Sequence, residues 1–453
     1  MSAGKYRYVN ESALGMHGSR KGLRGEILSF RKDPFIYAEK ECVDHYDDGL
    51  IVIKHGRIEA VGEFSKVAKN YPELETEEYK DSVILPGFVD CHLHYVQSPM
   101  IGSPGDTLLN WLNRYTFPTE AKFKDKRFAE ETARMFFRQL LMNGTTTANI
   151  FATTFPESVD AIFEESERYN ALTICGKVLQ DRNLPDNLKD RSAEDSILES
   201  ECLLKKWHGR GRQLYAVAPR FAPTSSRLQL KLAGELFQKY IDKGVYMHTH
   251  LDEAENEIEW VKELYPEAKD YTDVYARNGL VGKRSIFAHC CIMEEREWSV
   301  LHDAGSGVVH CPSSNLFLGD GQFKFWEARK LSRPCKTGIG TDIGGGTNFS
   351  VFRQLGDAYK VAMLKDRYLS PVRSLYLATR GGADVLGLAD KIGSIVPGHD
   401  ADLVVVDLRP TDFLEWRLQF AEDIFEKLFV MQTIGAQNAI KATYIAGEKV
   451  FSR

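Results

Sequence analysis

A (β/α)8 barrel carrying a small β domain built from both ends of the chain is the fold that the sequence predicts. Three observations predict it. Between residues 86 and 389, short apolar runs alternate with amphipathic helical stretches eight times, the pattern of repeated βα units. Residues 1–85 and 390–453 read as β hairpins, with too few strands in either segment for a core of its own. Residues able to bind a metal or move protons recur at the C-terminal ends of the barrel runs, where barrel sites lie.

In the first segment, 25–30 reads as a strand and 49–62 as a hairpin turning at His55-Gly56. In the last, 401–407 reads as a strand and 442–451 as a hairpin turning at Gly447. The two ends are expected to pair into one β-sandwich domain. Barrel strands are expected at 87–91, 145–150, 172–179, 214–218, 244–249, 285–288, 307–311 and 336–341, with helices at 126–143, 194–207, 228–243 and 294–304 among the intervals. A doubly wound open sheet is the alternative, but no GxGxxG follows the first barrel strand.

Composition narrows the class. A hydrophobic content of 43% with 27% charged residues is that of an ordinary globular protein. A net charge of −6 gives no electrostatic reason to expect a nucleic acid or an anionic membrane as partner, and a small neutral substrate fits better. Eight scattered cysteines without a CxxC pair suggest a reducing, cytoplasmic compartment. Met1 to Glu26 has no apolar core of a secretory signal, and no run approaches the length of a membrane span.

The first barrel run ends Asp90-Cys91-His92-Leu93-His94. Side chains two apart in a strand leave one face with Cα atoms about 6.5–7 Å apart, so two imidazoles can converge on one metal. Alone, the pair also reads as two packed or solvent-facing histidines. The fifth run ends His248-Thr249-His250-Leu251-Asp252-Glu253, the sixth in His289, the seventh in His310 and the eighth in Asp342. Six of the twelve histidines thus sit at strand ends, more than chance would place there. His17, His45, His55, His208, His302 and His399 read as surface or turn residues. His250 is the preferred third ligand; His248, on the same face, competes, or else packs deeper in the barrel. Asp342 offers a carboxylate ligand, or a cap for the next helix. Cys290, Cys291 and Cys311 offer thiolates but read as packing residues, since hydrolytic zinc sites more often use histidine and carboxylate.

Together, the segment 86–94, His250, His289 and Thr341-Asp342 resemble the amidohydrolase superfamily of metal-dependent hydrolases, over essentially the whole chain. Binuclear members carry a carboxylated lysine or a glutamate at the end of strand four, where this chain has Pro219-Arg220-Phe221; Lys177 falls on the third strand instead. The resemblance therefore implies the mononuclear branch, with one Zn2+, or Fe2+, on His92, His94, His250 and Asp342. His250-Leu251-Asp252-Glu253 is similar to the HxxE element of its deaminases. Thr107 to Glu120, 143–148, 219–221 and 310–315 resemble the members that act on guanine, in which a homodimer is the common state. The HxE…PCxxC signature of cytidine-type deaminases is absent.

The resemblance implies a reaction in which metal-activated water attacks C2 of guanine and leaves xanthine and ammonia. Asp342 would take the water's proton, His289 would hydrogen-bond the attacking oxygen, and Glu253 would protonate N3. The Arg220 guanidinium fork matches the O6/N7 edge of guanine; the alternative for it is a salt bridge beneath the barrel rim. Gln97 can hydrogen-bond the same base, and Phe221 can pack on its face or simply in the core. Trp111 and Phe117 read as lid or core. Two further readings compete: a deaminase or chlorohydrolase of another heterocycle (8-oxoguanine, a purine-nucleoside derivative, an s-triazine), and a non-catalytic scaffold of the same fold.

Overall fold

The structure, a computed structural model, describes residues 7–8, 20–105, 108–365, 367–435 and 438–453; His17 and Thr107 lie outside the described residues. Five strands precede the barrel: β1 Arg7–Tyr8, β2 Lys21–Phe30, β3 Val43–Lys54, β4 Arg57–Glu63 and β5 Thr76–Pro86. The barrel uses β6 Phe88–His94, β7 Thr145–Phe151, β8 Leu172–Gly176 with its continuation β9 Val178–Leu179, β10 Gln213–Pro219, β11 Tyr246–Leu251, β12 Ser285–His289, β13 Gly307–His310 and β14 Lys336–Ile339. Three strands follow it: β15 Leu403–Asp407, β16 Ile440–Ile445 and β17 Glu448–Ser452.

The two ends of the chain share one eight-stranded sheet, in the order β1-β17-β16-β15-β5-β2-β3-β4. They meet where β15 runs antiparallel to β5, Leu403 opposite Pro86 and Val405 opposite Ile84. Alternation assigns the faces. Ile84, Leu403 and Val405 enter the sheet's own core with Ile27, Ile51 and Tyr444. Val83, Leu85, Val404 and Val406 face the barrel's outer layer. Both faces are buried, which is why these strands read as unbroken apolar runs rather than alternating ones.

The barrel strands are parallel and follow chain order around the ring. Its floor is built from inward side chains of alternate positions, Val89 and Cys91, Leu172 and Ile174, Ala216, Ile286 and Val309, covered by Ala383, Val385 and Leu386. The last and first strands are stitched above that floor. The Asp342 N–H donates to His92 O at 2.9 Å, and Asp90 accepts from both the Thr341 N–H, at 3.0 Å, and the Thr341 hydroxyl. Gly338 permits the approach, since a Cβ there would lie 2.8 Å from Cys91 Sγ.

Two expected strands are shorter in the structure. The run 172–179 breaks at Lys177, whose N–H donates to the Tyr215 hydroxyl at 3.1 Å instead of to a ladder, and whose ammonium is buried against Asp190. The eighth strand ends at Ile339, so Asp342 stands three residues past it on a turn.

One irregularity aims the site. Between Asp90 and Leu93, β6 carries an extra residue relative to β7, where the partners are Ala148 and Ile150. Below this bulge Val89 and Cys91 face the floor while Phe88 packs outward. Above it Leu93 packs outward, and His92 and His94 turn into the barrel. An unbroken period of two would place His92 on the side of Phe88. The groups freed by the bulge find partners: Cys91 O accepts from Asn149 Nδ2 at 3.0 Å, and the His92 N–H donates to Asp90 Oδ1 at 3.3 Å.

Candidate active site

At the mouth of the barrel, one ligand atom from each of His92, His94, His250 and Asp342 lies within 4.8 Å of the others. Asp342 Oδ1 is 3.1 Å from His92 Nε2 and 3.4 Å from His94 Nε2, and the Nε2 atoms of His94 and His250 are 3.1 Å apart. His248 stands behind His92, its Nε2 2.8 Å from His92 Nδ1. Phe151, from β7, fills the space among these rings, 4.3–5.4 Å from four imidazole centroids. His92, His289, Cys311 and Asp342 form a second overlapping set at similar range, but burial pushes the Cys311 thiol well up, so it stays protonated.

Backbone strain concentrates here. His289 has φ 71°, Cys290 52°, Asp252 50° and Asp342 48°, a left-handed conformation uncommon for residues other than glycine. Each ends or follows a barrel strand, where the turn re-aims a side chain into the mouth.

The electrostatics divide the groups. Burial, reinforced by neighbouring imidazoles, holds His94 and His250 well below the usual histidine range, and burial pushes His289 down to about 3, so burial disfavours the charge on all three. Burial opposes ionisation of Asp342, yet the facing His92, His289 and His94 more than offset it and hold that carboxyl well below its usual range. Glu253 is the opposite case. Burial first, then Asp320, Glu257 and Asp342, raise it well above the ordinary carboxyl range, so the site favours its protonated form. Its Oε1 lies 3.4 Å from His289 Nδ1, to which Asn315 Nδ2 also approaches within 3.1 Å.

A small cleft opens beside this cluster, lined by His94, Gln97, Leu108, Trp111, Leu112, Arg220, Phe221, His250, Glu253, Leu318, Asp342 and Gly345. The sequence-predicted substrate residues Gln97, Arg220 and Phe221 therefore share it with three of the four predicted ligands and with Glu253. Arg220 satisfies both of its readings: it lines the cleft and it forms a buried ion pair with Glu120, its Nη1 donating at 3.0 and 2.9 Å to the two carboxylate oxygens. Phe221 packs edge-on to Trp260, and Phe117 lies under the Arg220 guanidinium at 5.7 Å. His310 faces the other way, stacked on Phe323 and edge-on to Phe325 in the outer layer. His399 sits in a turn, as expected, but is buried.

Sequence reasoning missed Glu120, Asp320, Asn315 and Phe151. Asp320 carries a carboxyl hydrogen-bonded to Glu253 and pushed up to about 7 by burial, Glu257 and Asp342. In the sequence, Asp320-Gly321 is simply a turn signal. Glu120 and Asn315 lay inside segments that carried the family resemblance, but nothing local marks a partner 100 residues away for the first or 26 for the second.

A parallel barrel whose strand ends bring three imidazoles and a carboxylate to one point, above a cleft with an acid and a guanidinium, has the architecture of a metal-dependent hydrolase. The chain belongs to the amidohydrolase family, whose model matches residues 83–450. It is 46% identical to the guanine deaminase of Escherichia coli over 90% of this chain and 92% of that one. The solved guanine deaminase of Bradyrhizobium japonicum superposes with a TM-score of 0.94 at 32% identity, covering 96% of this chain and 100% of that one. That of C. acetobutylicum, solved with guanine bound in the active site, superposes at 0.86 with 28% identity over the same shares.

Proposed function

We propose that this chain deaminates guanine hydrolytically to xanthine and ammonia, using one zinc ion held by His92, His94, His250 and Asp342. The observation that carries the reading is the shared cleft: three of the four donors, Glu253 and the Arg220–Gln97 pair line one cavity, in a chain nearly half identical to a guanine deaminase.

The residues fit such an ion. His250 Nδ1–H donates to Arg220 O at 2.8 Å, which leaves the Nε2 lone pair directed at the cluster. His92 Nε2 is buried and has no hydrogen-bond partner, the state expected of a nitrogen built for a ligand bond. His92 Nδ1–H then donates to His248 Nε2. Three nitrogens and one oxygen suit zinc, and Fe2+ is the ion the set accepts next.

When bound, the cation supplies the Lewis acidity that brings a water's pKa down to about 7. The ionised Asp342 accepts a proton from that water. His289 receives the Asn315 Nδ2–H at Nδ1, so its own proton sits on Nε2 and hydrogen-bonds the attacking oxygen. Glu253 delivers its proton to N3 as C2 is attacked. Arg220 donates to O6, Phe221 packs against the purine, and Trp111 and Leu112 exclude water from above. Asp342 passes its proton to the departing amine, and the C2 hydroxyl gives up its proton to Glu253 as the carbonyl forms, which restores the acid and leaves neutral xanthine and ammonia.

The test is stoichiometric release of ammonia and xanthine from guanine by metal-replete protein, with 8-oxoguanine, adenine and an s-triazine as comparison substrates. Chelation should abolish turnover and Zn2+ should restore it. Turnover of another heterocycle without turnover of guanine would overturn the substrate assignment. No described helix is long and apolar enough to cross a membrane. A cytoplasmic homodimer completes the proposal; eight free cysteines suit a reducing compartment, and light scattering on the purified protein tests the assembly.

A further inference from the structure

Glu120 is fully buried beside the substrate cleft, at the end of the short helical turn Phe117–Glu120. Its carboxylate takes three hydrogen bonds from two residues that line the cleft. Two come from a single Arg220 nitrogen, Nη1, at 3.0 and 2.9 Å. The third comes from Gln97 Nε2, at 3.0 Å to Oε1. Gln97 and Arg220 are themselves 2% and 3% exposed.

This arrangement does more than hold a charge in place. A carboxylate only accepts, so the Gln97 amide must present its NH2 group to Glu120; the flipped amide would set oxygen against oxygen. The Gln97 carbonyl is therefore turned the other way, towards the Gly344–Gly345 edge of the cleft. Gly344 makes room for it: a Cβ there would lie 2.0 Å from Gln97 Oε1. Since Nη1 serves Glu120, the remaining Arg220 N–H groups are the ones left to donate to a ligand. The polarity of two hydrogen-bonding groups in the cleft is thus set by one buried acid that lies behind them.

We propose that Glu120 is a specificity-positioning residue: by fixing Arg220 as donor and Gln97 Oε1 as acceptor, it makes the cleft select a purine with an oxo group at C6 and a proton on N1 over one with an amino group at C6 and a bare N1. The proposal rests on the guanine reading above. In guanine, O6 accepts and N1–H donates, matching the pair. In 2,6-diaminopurine the 2-amino group at the reacting carbon is unchanged, but the C6 amino group meets the Arg220 donors and N1 meets the Gln97 carbonyl, two mismatches of like polarity. A site built to hydrogen-bond one group rejects its polar inverse strongly.

The experiment compares kcat/KM for guanine and for 2,6-diaminopurine in the zinc-loaded protein and in Glu120→Gln, an isosteric change that lets the Gln97 amide turn over. Glu120→Gln should lower kcat/KM for guanine by roughly 10–100-fold, the loss expected when a charge-assisted bond is removed, mostly through KM. The guanine preference over 2,6-diaminopurine should fall by at least about tenfold, and this fall should vanish when the same change is made in a Gln97→Leu background. An unchanged preference in Glu120→Gln, or an equal fall in both backgrounds, overturns the proposal. Gln97→Leu alone is the second measurement, should Glu120→Gln fail to fold: with no amide to orient, the preference must itself fall by about tenfold, and a preserved preference again overturns the proposal. Absence of guanine turnover in the unmutated, zinc-loaded protein would instead refute the substrate reading, so the two failures are distinguishable.

Discussion

Glu253 and Asp342 lie in one buried site yet hold opposite protonation states, and that difference governs the pH behaviour. Glu253 is raised because burial and three neighbouring carboxyls disfavour its charge; Asp342 is lowered because imidazoles surround it. The protonated form of Glu253 is the one that works, so activity is present below its raised pKa and is lost as pH rises through it. Glu253→Gln should reduce kcat by about 10²–10⁴-fold, leave metal content unchanged, and remove the alkaline limb of the pH–rate profile. A variant that keeps that limb would assign it to another group. The side chains that carry this chemistry were legible in the sequence because they end strands at a fixed place in each βα unit. Glu120 and Asp320 were not, because their partners, Arg220 and Glu253, are distant in sequence and an isolated acid carries no periodicity.

At the scale of elements, strand alternation showed that His92 and His94 share a face but did not say which side of the barrel wall that face lies on. The face was decided by the one-residue bulge, and nothing in the run from Phe88 to His94 announces a bulge, since no glycine marks it. The signal lies in Asp90, a carboxyl fully buried in an apolar strand, which accepts from the His92 N–H, the Thr341 N–H and the Thr341 hydroxyl. Asp90→Ala strands two buried N–H groups, at about 1–3 kcal/mol each. It should lower the melting temperature and weaken retention of zinc by roughly 10–100-fold, as loss of support behind a ligand does. Dialysis followed by metal analysis reads the second effect. The break at Lys177 was illegible for a related reason: a lysine inside an apolar run gave no sign that its ammonium had Asp190 to pair with.

Across the whole molecule, polar contacts lock the barrel to the composite sheet, and Arg212 makes one of the most buried of them. From the bottom of the barrel its guanidinium reaches Asp400 at 3.1 Å and Asp402 at 2.5 Å, all three side chains under a tenth exposed. Arg212→Met would leave Asp402 buried without its cation and Asp400 with only the more distant Arg57 and Lys391, a loss of about 3–5 kcal/mol. A melting temperature several degrees lower, with kcat unchanged at 25 °C, is the expected result; an unchanged melt would show that water reaches the pair. That both ends of the chain form β structure and pair into one domain was legible from their hairpins. Which strands meet was not, because pairing of β5 with β15 joins segments more than three hundred residues apart.

That same pairing sets a timetable for the nascent chain. β5 is made early, but its partner β15 leaves the ribosome only after the entire barrel has been synthesised, on the order of tens of seconds later at typical rates of elongation. Until then the apolar face formed by Val83 and Leu85, together with Ile84 on the reverse, has no neighbour on that edge. The newborn protein therefore carries an open strand until β15 has emerged to close it.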